Sequence, residues 1–119
     1  MNIEEIREYC LAKPGVTEGF PFDETTLVFK VMKKMFALTG LNGVPPFVNL
    51  KCNPEKAIEL RGEYEDIKPG WHMNKEQWNS VYFVNLPREL IEDLIDHSYE
   101  LVLDSLPGKL KEELRKGGE

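Results

Sequence analysis

Apolar residues recur along the chain with two different periods, and the switches between them delimit its elements. Over residues 2–13, Ile3, Ile6, Cys10 and Leu11 fall at helical spacing and share one face. Asn2 can cap the amide of Glu5 while the Glu5 carboxylate returns the bond, and Lys13-Pro14-Gly15 stops the helix. Three stretches then alternate with period two. "TTLVFKV" sets Leu27, Phe29 and Val31 against Val28 and Lys30; "MFALT" sets Phe36 and Leu38 against Met35, Ala37 and Thr39; "FVNLKC" sets Val48, Leu50 and Cys52 against Phe47, Asn49 and Lys51. Such alternation predicts a sheet with one buried face. Short connections at Met32-Lys33-Lys34 and at "GLNGVPP" (40–46) make it an antiparallel meander, read here with its two loops adjacent.

The second half begins with Asn53-Pro54-Glu55, where a capping side chain and an N1 proline predict a helix over 54–61. "GEYED" is an acidic loop, Ile67-Lys68 a brief strand, and Pro69-Gly70 a turn. "SVYFVNL" (80–86) reads as a further strand. Pro87 opens the longest helix, 87–105, with Leu90, Ile91, Leu94, Ile95, Leu101 and Val102 as its apolar stripe. "SLPG" breaks it, and a short basic helix, "KLKEELRK", ends at Gly117-Gly118. The order α-β-β-β-α-β-β-α-α predicts an α+β fold, an antiparallel sheet with helices packed on one face. The other face is left for solvent or a partner.

Length and composition narrow this reading. A chain of 119 residues without linker or repeat reads as one domain over 1–119. A hydrophobic share of 41% is enough for one core, and no apolar run approaches a membrane span. The acidic start "MNIEEIREYC" is unlike a signal peptide, so a cytoplasmic location is expected. Cys10 and Cys52 lack CxxC spacing and read as reduced thiols, with a single disulfide the alternative. The formal net charge of −6 argues against a general polyanion binder, yet residues 24–51 sum to +3. That local excess can position a phosphate.

Two groups of residues carry candidate chemistry. "PGWHMNKEQWN" (69–79) holds both tryptophans, and Trp71, His72, Asn74 and Lys75 offer a stacking face, hydrogen-bonding groups and a cation. The plainer reading has the indoles plugging a sheet edge while Asn74 holds a turn. Lys30, Lys33, Lys34 and Lys51 could contact phosphates, or could simply guard strand edges. His72 and His97 form no HExxH or HxxxH pattern, Cys52 ends a strand on its inward side, and no GxSxG or phosphate-cradling loop appears. No catalytic constellation, metal site or cofactor is therefore expected.

Several separated blocks occur together in one order: "FPFDETTLVFKV" (20–31), "KMFAL" (34–38), "VNLKC" with Asn53-Pro54-Glu55, "PGWHMNKEQWNSV" (69–81), and "SYELV" (98–102) followed by "LPGKLKEEL". Through them the chain resembles the MmcQ/YjbR family over essentially its whole length. The resemblance implies a CyaY-like (frataxin-like) α+β fold and DNA binding through a double wing of hairpin loops. The wings would map here to Met32-Lys33-Lys34 and to the 40–46 loop, which carries no cation. The motif positions carried over are Trp71, His72, Asn74, Lys75 and Trp78.

The expected function is thus a non-catalytic DNA-binding protein. Lys30, Lys33, Lys34, Lys51 and Lys75 would contact phosphate, with Trp71 or Trp78 stacking. The alternative is a domain binding an anionic small molecule or a protein through the 69–79 cluster and the open sheet face. A monomer or weak dimer, with no membrane contact, fits either reading.

Overall fold

A computed structural model describes residues 1–117, so the helix stop expected at Gly117-Gly118 extends outside the described residues. Helix α1 (Ile3–Leu11) leads into β1 (Val16–Gly19), β2 (Thr26–Val31), β3 (Lys34–Gly40) and β4 (Val48–Lys51). Then come α2 (Pro54–Glu63), β5 (Ile67–Pro69), β6 (Trp78–Val81), a 3₁₀ turn (Phe83–Asn85), α3 (Arg88–Asp104) and α4 (Gly108–Gly117). The six strands form one antiparallel sheet in the order β1-β2-β3-β4-β6-β5. The α+β class, with helices on one face, is as expected.

Local chemistry accounts for the helix ends. Asn2 Oδ1 accepts from the Glu5 N–H (2.8 Å) and Glu5 Oε1 accepts from the Asn2 N–H (3.1 Å), closing a capping box. Asn53 accepts from the amides of Glu55 and Lys56 at the start of α2. Against the sheet, α1 and α3 bury Ile6, Cys10, Ile91, Ile95 and Tyr99 onto Phe29, Val31, Phe36, Val48 and Leu50.

Four expectations are corrected. Strand β1 was not anticipated: "VTEG" has no alternation, being a short edge strand whose Glu18 is held by Arg7 of α1 (2.6 Å). The strand expected over 80–86 occupies Trp78–Val81 instead. Beyond it the Tyr82 N–H donates to Asp66 C=O, Phe83 turns into the core, and a Leu86 N–H to Phe83 C=O bond tightens the chain. The alternation assigned to 35–39 is broken by an irregularity in register, with Phe29 opposite Ala37 but Lys30 opposite Met35. Phe36 and Ala37 therefore both enter the core, and Leu38 crosses to the other face. Finally, the two hairpin loops are not adjacent. Consecutive turns of a meander fall at opposite ends, so Met32-Lys33-Lys34 and the 40–46 loop are separated by the length of β3, about 20 Å for six steps of ~3.4 Å. As mapped, they cannot act side by side.

The irregularity in β3 leaves a gap in the β3–β4 ladder that α3 fills. Ser98, fully buried, accepts from the Lys51 N–H (2.9 Å) and donates to the Phe36 C=O (2.5 Å). One hydroxyl thus replaces a missing strand-to-strand bond.

Candidate nucleic-acid interface

The face of the sheet away from the helices is organised by register. Gly19, Val28, Leu38, Asn49, Ser80 and Lys68 form one cross-strand row through six strands. Asn49 and Ser80 are polar yet buried, because the 70–73 segment folds over them. The Ser80 hydroxyl donates to Asn49 Oδ1 (2.5 Å) and accepts from the Trp71 N–H (2.8 Å), while Asn49 Nδ2 donates to the Trp71 C=O (3.1 Å). Both backbone groups of Trp71 are therefore held, and its indole is left 60% exposed.

The flanking residues explain how the segment reaches that position. An added Cβ at Gly70 would stand 2.8 Å from Trp78 Cβ and 3.0 Å from Trp78 O, so only glycine permits the close crossing. His72 takes a left-handed backbone (φ 57°) and sets its ring edge-on to the indole, centroids 4.6 Å apart. On the helix side, Arg61 donates to Asn79 Oδ1 (2.7 Å), to the Trp78 C=O (3.3 Å) and to the Lys75 C=O.

Trp71, His72 and Met73 form one wall of a cavity of about 430 Å³ on this face. Phe22 and Asp23 of the β1–β2 loop, Thr26, Leu38, Gly40, Gly43, Phe47 and Asn49 complete its lining. The volume lies in the ~300–1,000 Å³ range of small-ligand clefts. Asp23 accepts from the Thr25 amide and from the amide and hydroxyl of Thr26, and the Thr25 amide foremost holds its carboxyl below the usual range. It is an ionised turn-former at the lip of the cavity.

Charge is divided between the two faces. Among the described residues Glu18 is the only acid on a strand, and it is paired with Arg7 on the helix side. The acids of α3 (Glu89, Glu92, Asp93, Asp96, Glu100, Asp104) lie on the helical layer. Alternation places Lys30 and Lys51 on the open face either side of β3, about 10 Å apart across two strand spacings. Lys68, which sequence reasoning passed over, shares the Ser80 row.

The nine residues singled out from sequence thus divide. Trp71 and His72 reach the cavity, and Lys30 and Lys51 share its face. Trp78 is buried beneath Gly70. Asn74 accepts from the Glu76 amide with its side chain and from the Gln77 and Trp78 amides with its carbonyl, so it holds the turn. Lys75 bends back toward the Gly70 C=O (3.5 Å). Lys33 caps the β2–β3 turn, and Lys34 extends toward Ser105 of α3 (3.5 Å). Sequence reasoning missed Phe22, Phe47, Asn49, Ser80 and Arg61. An asparagine and a serine within strands were the available signal, since strands rarely carry such groups without a partner for them.

The thiols and the remaining histidine belong to the structure. Burial pushes Cys10 up to about 12 and also raises Cys52. His97 Nε2 accepts from the Asn53 N–H (3.1 Å); burial, then Lys56, lowers its pKa. Among the described residues, no three His, Cys, Asp or Glu side chains lie close enough to hold a metal ion.

The YjbR family model matches residues 11–101, spanning the sheet, the 69–79 segment and most of α3. The chain belongs to the YjbR family. Among YjbR relatives it is 38% identical over 117 residues to YjbR of Escherichia coli K12, covering 98% of this chain and 96% of that protein. It is 40% identical over 116 residues to YbdF of E. coli O157:H7, covering 96% and 94%. A crystal structure of the Deinococcus radiodurans protein DR2400, with a DUF419 domain, superposes with a TM-score of 0.87 at 38% identity, covering 95% of this chain and 87% of that one. A Pseudomonas syringae protein gives 0.74 at 29% identity over 85% and 98%. No helix among the described residues is long and apolar enough to cross a membrane.

Proposed function

We propose that this YjbR protein is a non-catalytic DNA-binding module that meets the phosphate backbone with the open face of its sheet. One observation carries the reading. That face presents Lys30, Lys51 and Lys68 with no strand carboxylate among them, while the helical layer holds most of the acids. A strand of nucleic acid lying there meets cations at short range and is separated by the sheet from the acids of the helical layer, while Asp23, bonded to Thr25 and Thr26 at the lip of the cavity, is a carboxylate on the same side. The hairpin turn brings Lys33 to the same end as Lys30 and Lys51, whereas Lys34 turns toward α3 on the helix side. The expected double wing is thereby replaced by a single face, since its two loops stand at opposite ends.

Fluorescence anisotropy with labelled oligonucleotides at 20 to 200 mM salt tests this. Binding should weaken with log[salt] at a slope of about two to four, one unit for each phosphate-contacting lysine. K30E with K51E should abolish it. Absence of binding tighter than about 10⁻⁴ M at low salt, the weak end of non-specific affinity, would overturn the proposal.

A further inference from the structure

Resting on that reading, we infer that the cavity between Phe22 and Trp71 receives one unpaired nucleobase, making the ligand single-stranded rather than duplex. Phe22 and Trp71 are large, apolar and respectively 67% and 60% exposed, although neighbouring core positions are sealed. They line the same cavity from two different loops. Trp71 is not loosely placed: Asn49 and Ser80 hold its backbone, and His72 abuts its ring. An exposed indole on a backbone held at both its polar groups, sharing a cavity with a second exposed aromatic side chain, offers stacking surface to a flat heterocycle.

Duplex bases present only their edges, so a ring can enter such a space only from a single strand or a flipped nucleotide. Gly40 lines the cavity without a side chain, and a Cβ added there meets no heavy atom within 4 Å. The lysines lie along the same strands. Lys30 is four residues from Thr26 at the cavity edge, about 13 Å at ~3.3 Å per residue. A strand with one base in the cavity would therefore run along the face toward Lys30 and Lys51. Several nucleotides are needed to span both, within the roughly 4–16 nucleotides covered by other single-strand-binding domains.

The test compares a 12-nucleotide single strand with the corresponding duplex, using wild-type protein, W71A, F22A, G40V and the K30E/K51E pair. Gly40→Val fills the cavity in space that the fold leaves open, and valine suits a strand. Circular dichroism and melting confirm that each variant is folded. Wild type should bind the single strand at least tenfold more tightly than the duplex. W71A and G40V should each lose about 5- to 150-fold on the single strand, the size of one lost base–aromatic stack, with the salt slope unchanged.

If single strand and duplex bind alike and G40V is neutral while K30E/K51E abolishes binding, the inference falls and the backbone-binding proposal stands. If no oligonucleotide binds, both fall. If a free nucleoside binds as tightly as the 12-mer, the cavity is a small-ligand pocket and the inference is overturned.

Discussion

Replacing Ser98 with alanine should be among the most costly single-atom deletions in this chain. The hydroxyl is fully buried on α3, accepts from the Lys51 N–H at 2.9 Å and donates to the Phe36 C=O at 2.5 Å. Alanine leaves a backbone donor and a backbone acceptor facing a space the size of one oxygen. Each such unpaired group costs about 1–3 kcal/mol, so S98A should lose about 2–4 kcal/mol. That is a large part of the ~5–15 kcal/mol available to a domain of this kind. In urea, with a slope of about 1–3 kcal/mol/M, the midpoint should fall by roughly 1–2 M at unchanged slope. Amide exchange localises the effect: Lys51 N–H should lose protection, while Leu50, whose N–H points to β6 opposite Asn79, should keep it. A midpoint shift below about 0.3 M with Lys51 still protected would refute the assignment. It would mean that β3 and β4 close their own gap and that Ser98 contributes only packing.

Three further outcomes are expected. Neutral His97 accepts the Asn53 N–H, and its pKa is lowered by burial and Lys56, so as pH falls the unfolded chain takes up the proton first. Stability should therefore be constant above the ordinary histidine pKa of about 6.5 and decline as pH falls below it. H97Q should flatten that decline between pH 6.5 and 5.5, as read by urea midpoints. Gly70→Ala should cost roughly 1–3 kcal/mol by overpacking against Trp78, and should shift Trp71 emission as the 70–73 segment lifts from Ser80. Arg61→Ala should lose about 1–3 kcal/mol through the unpaired Asn79 oxygen, and Arg61→Lys should not restore it, because one ammonium cannot reproduce the guanidinium fork; melting curves read both.

What the sequence could reveal followed from the range of each signal. The capping box at Asn2 and Glu5, the N-cap at Asn53 and the stripe of α3 are local, and each stands where the spacing predicts. Strand β1 escaped because "VTEG" shows no alternation: its identity comes from pairing with β2 and from the Arg7–Glu18 pair, both non-local. The irregularity at Phe36 is settled by Ser98, sixty-two residues away. The candidate site divides in the same way. Trp71 and His72 stand out as residue types, whereas Phe22, Phe47 and Asn49 become parts of one cavity only once the sheet brings three loops and strands together. Trp78 misled for the opposite reason, since an indole next to a turn reads alike in sequence whether exposed or buried.

The net charge of −6 was the strongest sequence argument against a polyanionic partner, and the fold weakens it by geometry. A helix is about 10–12 Å across with its side chains, so carboxylates on the outer surface of α3 stand more than 10 Å behind the strands. Exposed charges at that separation are largely screened where the Debye length is about 8 Å, as at physiological salt. A phosphate touching Lys30 or Lys51 is not. Diluting the salt lengthens the screening distance toward 30 Å at 0.01 M, which brings the acidic layer back into the field the ligand meets. Affinity should therefore rise less on dilution than the number of lysine contacts alone requires, and the salt plot should curve downward at its dilute end. Neutralising the outer face of α3, for example with D93N and E100Q together, should straighten that plot while leaving binding at 150 mM salt nearly unchanged. A straight plot in the unaltered protein would show that the two faces are not electrostatically separate.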